Sequence, residues 1–309
     1  MKKVIFMGTP IFACGILDAL LVSDVEVVCV VSQPDKKIGR KQIITPTPLK
    51  AYAESKGIKV IQPVNIKLAY DELKVYEPDL IVTCAYGQIV PDSILELPTY
   101  GAINVHASLL PKLRGGAPIH KAIINGDTQS GVSIMRMVKR MDAGAVMSVA
   151  KVDIDPDDTM LMLHDKLIEA GAKLLISSLP KLFNGEAVFI EQDESKVTYA
   201  WNITREEELV HFSNPLGVIY NQMRGLIPNP ISYGIISNKK IKFFSIHKNC
   251  ATVSEAIGTL CYKNNELCIA CDSGYIIIDE LQLEGKNKCT AKEFYNGAGK
   301  NYIGKRFEV

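Results

Sequence analysis

The chain alternates short, strongly apolar runs with longer segments whose apolar residues recur every three or four positions. Residues 4–8, 26–32, 79–85 and 102–106 are apolar at nearly every position and predict buried strands. The periodic segments between them begin after helix-start signals such as Thr9-Pro10 and predict helices. Strands alternating with helices predict an α/β fold, a Rossmann-like and mostly parallel sheet.

The pattern changes after residue 205, where short strands are separated by turn pairs such as Asn238-Lys239 and Ser273-Gly274. This spacing predicts a small antiparallel, OB-like β-barrel domain. We therefore expect an α/β domain over 1–188, a linker over 189–205 and the barrel over 206–309.

Composition narrows the class of protein. The 309 residues are 47% hydrophobic and 22% charged, and the formal net charge is +1, so no whole-molecule field attracts nucleic acid or membrane. No apolar run reaches the roughly 18 residues of a membrane span. The eight cysteines lie mostly in apolar runs, as buried free thiols do, and predict a cytoplasmic protein.

A pair of polar residues stands at the end of an apolar strand, in the segment Gly101-Ala-Ile-Asn104-Val-His106. The strand period of two places both side chains on one face, where an amide donor and an imidazole suit acyl transfer. Asp142, in a later turn, is a carboxylate that could orient the ring. The alternatives are that Asn104 and His106 only satisfy loop backbone and that Asp142 is an ordinary turn residue.

The segment 33–46 is a second candidate site because it carries four cations, Lys36, Lys37, Arg40 and Lys41. We expect it to be a loop of fourteen residues without regular structure, which is longer than compact domains usually carry. Its charge indicates phosphate binding, and the alternative is a solvated basic loop.

Several other chemistries are disfavoured. Gly8-Thr-Pro-Ile-Phe-Ala lacks two of the three glycines of a dinucleotide-binding turn, which argues against a nicotinamide enzyme. Cys268 and Cys271 form a lone pair with no partner pair for zinc, and the five histidines show no metal-ligand spacing. We expect no metal.

The assembled motifs resemble the methionyl-tRNA formyltransferases, a family of folate-dependent formyltransferases. The resemblance runs nearly end to end, and its most specific part is Asn104-Val-His-Ala-Ser-Leu-Leu-Pro111 with Arg114-Gly115 and Met141-Asp-Ala-Gly144. In the second domain it includes Leu281-Gln-Leu-Glu-Gly285 and Phe294-Tyr-Asn-Gly297. The chain departs from the family pattern at Trp201-Asn202 and at Ile227-Pro-Asn-Pro230.

The resemblance implies formyl transfer from 10-formyltetrahydrofolate to the α-amino group of methionyl-initiator tRNA, through a tetrahedral intermediate and without a covalent enzyme adduct. It makes Asn104, His106 and Asp142 the catalytic trio. It assigns the folate site to Ser108, Leu109, Leu110 and Pro111, flanked by Tyr86, Gly87, Gln88, Ile89 and Val90. It assigns the tRNA acceptor end to Lys36, Lys37, Arg40 and Lys41, and places the barrel along the tRNA.

The partners expected are thus initiator methionyl-tRNA and folate, with no membrane and no stable protein partner, so that the protein is a monomer. A sugar-nucleotide N-formyltransferase, with the same donor and trio, is the alternative function. A dehydrogenase and a non-catalytic RNA-binding module are the competing classes.

Overall fold

A computed structural model describes residues 1–39 and 41–308. Arg40, one of the four predicted tRNA-binding cations, therefore lies outside the described residues. The chain divides into two compact units, each described here by itself. The first comprises Met1–Pro118, Gln129–Asp153 and His164–Trp201, and the second comprises Ile119–Thr128, Ile154–Leu163 and the chain from Asn202 onward.

The first unit is built on a seven-stranded sheet with strand order β5-β2-β1-β6-β7-β8-β9. The first five strands in that order pair in parallel, and the two remaining pairings, β7 with β8 and β8 with β9, are antiparallel. This confirms the mostly parallel sheet. The strands are β1 Lys2–Gly8, β2 Val25–Val31, β3 Lys36–Ile38, β4 Ile43–Thr45, β5 Val60–Ile61, β6 Leu80–Cys84, β7 Ala102–His106, β8 Gln129–Arg136 and β9 Val146–Asp153, of which β3 and β4 lie outside the large sheet.

Helices separate most of these strands. The first begins directly after Thr9-Pro10, with Pro10 at its N-cap and no side-chain cap hydrogen bond. The second begins as its capping signal predicts. Thr47 caps the second helix by accepting a hydrogen bond from the backbone N–H of Lys50, with Pro48 at its first position. The helices are α1 Ile11–Leu21, α2 Pro48–Ser55, α3 Tyr70–Lys74, α4 Asp92–Leu95, α5 Pro118–Ile124 and α6 Met160–Phe183.

Burial of the central strands explains the apolar runs. Every residue of β6 and β7 is buried, and Val4 to Gly8 of β1 are buried as well. One core cluster packs Ile5, Met7 and Ile81 with residues of the neighbouring strands and helices. The parallel strands thus bring their carboxyl ends, at Gly8, Cys84 and His106, to one edge of the sheet, where such folds bind ligands.

The basic segment 33–46 is not devoid of regular structure, so that expectation was wrong. Strands β3 and β4 pair antiparallel from Lys36↔Thr45 to Ile38↔Ile43 and form a small hairpin of their own. Its side chains are almost all exposed, including Ile38, Ile43 and Ile44. Without a buried face, the hairpin has no apolar alternation by which its strands could be detected.

The second unit is built on an antiparallel sheet whose main path is β10-β11-β14-β13-β12, and β15 pairs with β14. Its interior packs Phe243, Ile269 and Ile276 against helix α8. These elements confirm the predicted antiparallel, barrel-like second domain. They are α7 Arg205–Glu208, α8 Leu216–Gly225, β10 Tyr233–Ile236, β11 Lys239–Cys250, β12 Leu260–Lys263, β13 Glu266–Ala270, β14 Gly274–Leu283, β15 Cys289–Thr290 and α9 Ala291–Asn296.

The segment 304–308 connects the two edge strands of this sheet. Gly304 donates its backbone N–H to Leu260 at the β12 edge, at 2.8 Å. Four residues later, Glu308 donates its backbone N–H to Ile235 of β10, at 2.7 Å. The barrel-like sheet is thereby closed by a segment that contains no strand of its own.

Within the described part of the chain, no helix is both long enough and apolar enough to cross a membrane. All eight cysteines are free thiols. Burial raises the pKa of the Cys29 thiol to about 12, and burial together with Asp18 raises the pKa of the Cys14 thiol to about 11. Of the eight cysteines, Cys250 is exposed, and the others are buried or partly buried.

These environments predict that one thiol of the native protein reacts fast with iodoacetamide at pH 8. A thiol of pKa 12 is thiolate to only about one part in 10⁴ at that pH, and burial also blocks access. We expect Cys250 to be labelled at least about 100-fold faster than the buried Cys29 and Cys84, measured by mass spectrometry of quenched samples. Cys250→Ser should abolish the fast phase; several thiols reacting at the same rate in the native protein would contradict this.

Candidate active site

Asn104 lies on β7 at the carboxyl edge of the first sheet, directly beside Thr83 of β6. The Thr83 hydroxyl donates a hydrogen bond to Asn104 Oδ1 at 2.8 Å. Because the amide oxygen is occupied, the Nδ2 group is the part of the side chain left to donate to a ligand. Asn104 is only 8% exposed, so this orientation is fixed in a largely dry environment.

His106 follows two residues later on the same face of the strand. Its Nε2 lies 3.1 Å from the backbone carbonyl oxygen of Leu113, within hydrogen-bond distance. A carbonyl only accepts, so this contact requires the hydrogen on Nε2. In the neutral ring Nδ1 is then a free lone pair, which defines where the ring can take up a proton.

Asp142 faces that lone pair. Its Oδ2 lies 3.7 Å from His106 Nδ1, an ion-pair distance that is too long for a direct hydrogen bond. The same oxygen accepts the backbone N–H of Gly115 at 2.9 Å. Asp142 has φ of 48°, and a Cβ on Gly144 would lie 1.9 Å from the carbonyl oxygen of Arg136. The turn therefore requires glycine at 144 to place the carboxylate.

A second set of contacts holds this turn and was not predicted from the sequence. Gln192 donates through Nε2 to the carbonyl oxygens of Asp142 and Gly144, each at 2.8 Å. Its Oε1 accepts two hydrogen bonds from the guanidinium of Arg114, at 3.0 and 2.7 Å. Arg114 is fully buried and also pairs with Glu194 at 2.9 Å. Gln192 stands in the segment expected to be a linker, so no local pattern marks it.

The predicted folate residues Ser108, Leu109, Leu110 and Pro111 form the loop that leaves β7. Ser108 donates its hydroxyl to the carbonyl oxygen of Lys112 at 2.7 Å, and its own carbonyl accepts from Ser133. Ser133 Oγ also accepts the backbone N–H of Leu110 at 3.1 Å. Ser108 thus shapes the loop from within, while the half-buried Leu109 to Pro111 present its outer surface.

The predicted flank Tyr86 to Val90 follows β6 at the same edge. The Tyr86 ring is buried in the core, and burial raises its pKa to about 12. Its backbone carbonyl accepts from Thr9 and Gln33. The Gln88 side chain accepts the backbone N–H of Ile66 and donates to the carbonyl oxygen of Pro63. In that flank Val90 is buried, Gly87 has φ of 92°, and Ile89 is 69% exposed.

The basic hairpin β3–β4 presents Lys36, Lys37 and Lys41 as exposed side chains. Its base is pinned by Asp35, which pairs with Lys50 at 2.7 Å and accepts from Gln62. The hydrogen bond from Lys50 holds the pKa of Asp35 below its usual value. Among the described residues, no hydrogen bond or ion pair joins these lysines to the catalytic trio.

The first unit also has a cavity of about 700 Å³ at the opposite edge of the sheet. It is lined by residues at the start of β7 and the end of β8, among them Tyr100, Ala102 and Arg136. None of the trio lines it, and Ala102 is four residues, or about 13 Å of strand, before His106. The combination of amide, imidazole and carboxylate therefore defines the candidate active site.

No group of three or more His, Cys, Asp or Glu that could hold a metal ion occurs over residues 1–39 and 41–308. The chemistry of the site itself is that of an oxyanion donor beside a proton carrier and its carboxylate, which suits transfer of an acyl group.

Comparison with known proteins identifies that class. The Formyl transferase model matches residues 1–179, and the model of the Formyl transferase C-terminal domain matches residues 202–299. The chain therefore belongs to the formyl transferase family. Within it, the chain groups with the methionyl-tRNA formyltransferases, as curated relatives show.

The relative from Bacillus velezensis is 46% identical over 96% of this chain and 95% of its own length. That from Enterococcus faecalis is 44% identical over 97% of each chain. Both are named methionyl-tRNA formyltransferase. Among solved structures, an N-formyltransferase from Helicobacter canadensis, in complex with folinic acid and dTDP-3-aminofucose, has a TM-score of 0.68 at 20% identity and covers 90% of this chain and 99% of its own. At that identity it shows the fold alone.

The contact between Thr83 and Asn104 predicts that Thr83→Val slows formyl transfer about 10-fold. Valine keeps the shape but leaves the Asn104 amide free to rotate, so its donor is no longer fixed. Single-turnover rates measure the effect, and Thr83→Ser, which keeps the hydroxyl, should remain near the wild-type rate. A Thr83→Val rate within about 2-fold of wild type would show that the amide needs no orientation by Thr83.

Proposed function

We propose that this chain transfers the formyl group of 10-formyltetrahydrofolate to the α-amino group of methionine on initiator tRNA, in the cytoplasm. The observation that carries the proposal is the pairing of His106 with Asp142, 3.7 Å apart, at the strand end that bears Asn104. The family membership and the named relatives agree with this chemistry.

The proposed reaction exchanges one carbon–nitrogen bond for another. The amine nitrogen attacks the formyl carbon, and the carbonyl electrons move to the oxygen of a tetrahedral intermediate. That oxygen re-forms the carbonyl as the bond to the folate nitrogen breaks. The amine gives up one proton and the folate nitrogen gains one, so no covalent bond to the enzyme is needed.

His106 carries the proton in this scheme. Its Nδ1 is the free position because Nε2 donates to Leu113. When Nδ1 accepts a proton from the attacking amine, the new N–H is too far from Asp142 for a direct hydrogen bond, so the leaving nitrogen can receive it. Asp142 stabilises the imidazolium by its charge. A positioned acid or base contributes about 10² to 10⁴ in rate.

Asn104 supplies the oxyanion donor through Nδ2. The support for this role is the Thr83 hydroxyl, which occupies Oδ1 and leaves only the donor end of the amide for a substrate. One such donor contributes about 3 to 4 kcal/mol to transition-state stabilisation.

The folate binds, in this proposal, between the loop Ser108–Pro111 and the flank Tyr86–Val90. Both segments follow neighbouring parallel strands at the edge that carries the trio. Ile89, exposed although apolar, and the half-buried leucines of the loop offer flat apolar surface for a ring system.

The tRNA is contacted by the cations Lys36, Lys37, Arg40 and Lys41 and by the barrel-like domain. We propose that residues 1–188 are the catalytic domain, 189–205 the linker and 206–309 the tRNA-binding domain of a monomer. The exposure of the three described lysines on a hairpin pinned at its base supports contact with a phosphate backbone.

A sugar-nucleotide N-formyltransferase is the second candidate, because the solved Helicobacter relative shares the fold. One experiment separates the two: incubation of the protein and 10-formyltetrahydrofolate with either charged initiator tRNA or a dTDP-amino sugar. We expect formyl transfer to the tRNA only. Transfer to the sugar alone would reverse the assignment.

The roles of the trio predict that His106→Ala and Asp142→Ala each lower the single-turnover formylation rate at least about 100-fold without unfolding the protein. Asp142→Asn is the matched variant, since its amide oxygen can still accept from Gly115 but carries no charge. We expect it to be nearly as slow as Asp142→Ala. If Asp142→Asn were as fast as wild type, the carboxylate would only hold the loop, and the electrostatic role would be lost.

Neutralising Lys36, Lys37 and Arg40 together should weaken tRNA binding and flatten its salt dependence. Each phosphate that the variant no longer neutralises lowers the slope of log K against log salt concentration by about one. Filter binding from low to high salt measures it. A variant with Lys151 of β9 and Lys173 and Lys181 of α6 neutralised also loses three positive charges and should keep the slope. An unchanged slope in the hairpin variant would remove the hairpin from the interface.

A further inference from the structure

Two large aromatic side chains lie stacked on the surface of the first unit. The rings of Tyr199 and Trp201 are nearly parallel, with an interplanar angle of 7° and centroids 5.2 Å apart. Tyr199 is 49% exposed and Trp201 is 60% exposed. Aromatic rings of this size are usually buried, because each removes a large apolar area from water. Here each ring leaves about half of its surface uncovered.

The backbone holds this pair in place. Residues 198–200 run beside residues 114–117: Arg114 donates its N–H to Thr198 at 2.9 Å, and Ala200 donates to Arg114 at 2.7 Å. Ala117 in turn donates to the carbonyl of Ala200 at 3.0 Å. Ala200 is fully buried, so the alternation of an extended chain turns its two neighbours outward together.

The same segment adjoins the candidate active site. Gly115 donates its N–H to Asp142, and a Cβ on Gly115 would lie 2.7 Å from the carbonyl oxygen of Ala200. The two rings flank Ala200, about 3.3 Å of extended chain to either side. The segment that carries the two rings is thus linked, through Gly115, to the carboxylate of the catalytic trio.

We propose that Tyr199 and Trp201 form a stacking platform for a nucleobase of the amine-bearing substrate, the last base of the single-stranded acceptor end. This inference rests on the proposed function and adds a binding site to it. A base presents a flat π-face of the same kind as the rings, and stacking on an aromatic pair needs no particular base edge.

The site can be observed directly because Trp201 is the only tryptophan of the chain. We expect an RNA trinucleotide of sequence CCA to quench its fluorescence. The control is a trinucleotide backbone of equal charge in which all three residues are abasic, which has no base to stack and should leave the emission unchanged. Equal quenching by both, or no quenching by CCA, would overturn the proposal.

Kinetics provide the second test. We expect Trp201→Ala to raise KM for charged initiator tRNA about 10-fold, the loss of one stacked base, with little change in kcat or in KM for 10-formyltetrahydrofolate. Trp201→Phe keeps a ring and should restore most of the affinity. Val188→Ala, which removes an exposed apolar side chain without a ring, is the matched control.

The outcomes separate this proposal from the proposed function. If wild type formylates charged tRNA and Trp201→Ala keeps the wild-type KM, the platform is wrong and the function stands. The platform is also wrong if both substrates' KM values rise together and phenylalanine fails to rescue them, since that marks a structural role. If wild type does not formylate charged tRNA at all, the proposed function fails, and the inference that rests on it fails with it.

Discussion

The place of the Asp142 carboxylate depends on a backbone N–H, that of Gly115, and not on the histidine it faces. At 3.7 Å from His106 Nδ1 the carboxylate makes no hydrogen bond to the ring, whereas Gly115 binds it at 2.9 Å. Two loops 27 positions apart in the chain are thereby fixed to each other before any substrate binds. Electrostatic stabilisation of a transition state requires this kind of preorganisation, because charges that must first move lose much of their benefit.

A buried cation supports that arrangement. Arg114 is fully buried, and leaving a guanidinium without partners in such a place would cost several kcal/mol. Gln192 and Glu194 accept from it, and Gln192 then donates to the turn that carries Asp142. Glu194 also pairs with Arg140, just before that turn. The hydrogen bonds that offset the desolvation cost of Arg114 thus belong to the same network that positions Asp142.

The sequence predicted those parts of the fold whose cause is local. The strand Ala102–His106 was predicted with the bounds that the structure has, and the helix Ile11–Leu21 begins directly after the predicted start signal Thr9-Pro10. Helix α9 was missed although Thr290 and Glu293 form its capping box, a signal visible in the sequence. Gln192 was not predictable, since its role is a contact between segments 48 to 50 positions apart. The spacing of Asn104 and His106 indicated that they share a face of the strand. The contact of Gly115 with Asp142 could not be predicted from residue type, because its donor is a backbone N–H that every non-proline residue has.

The closure of the second sheet by residues 304–308 affects the order in which this unit can be completed. All the strands of the sheet precede that segment in the chain, so during synthesis they emerge from the ribosome while the edges of β10 and β12 still lack their partner. Open edges of this kind invite pairing with other chains. The nascent unit therefore passes through an interval in which it is vulnerable to aggregation, and that interval ends only when residues 304–308 have emerged and bound both edges.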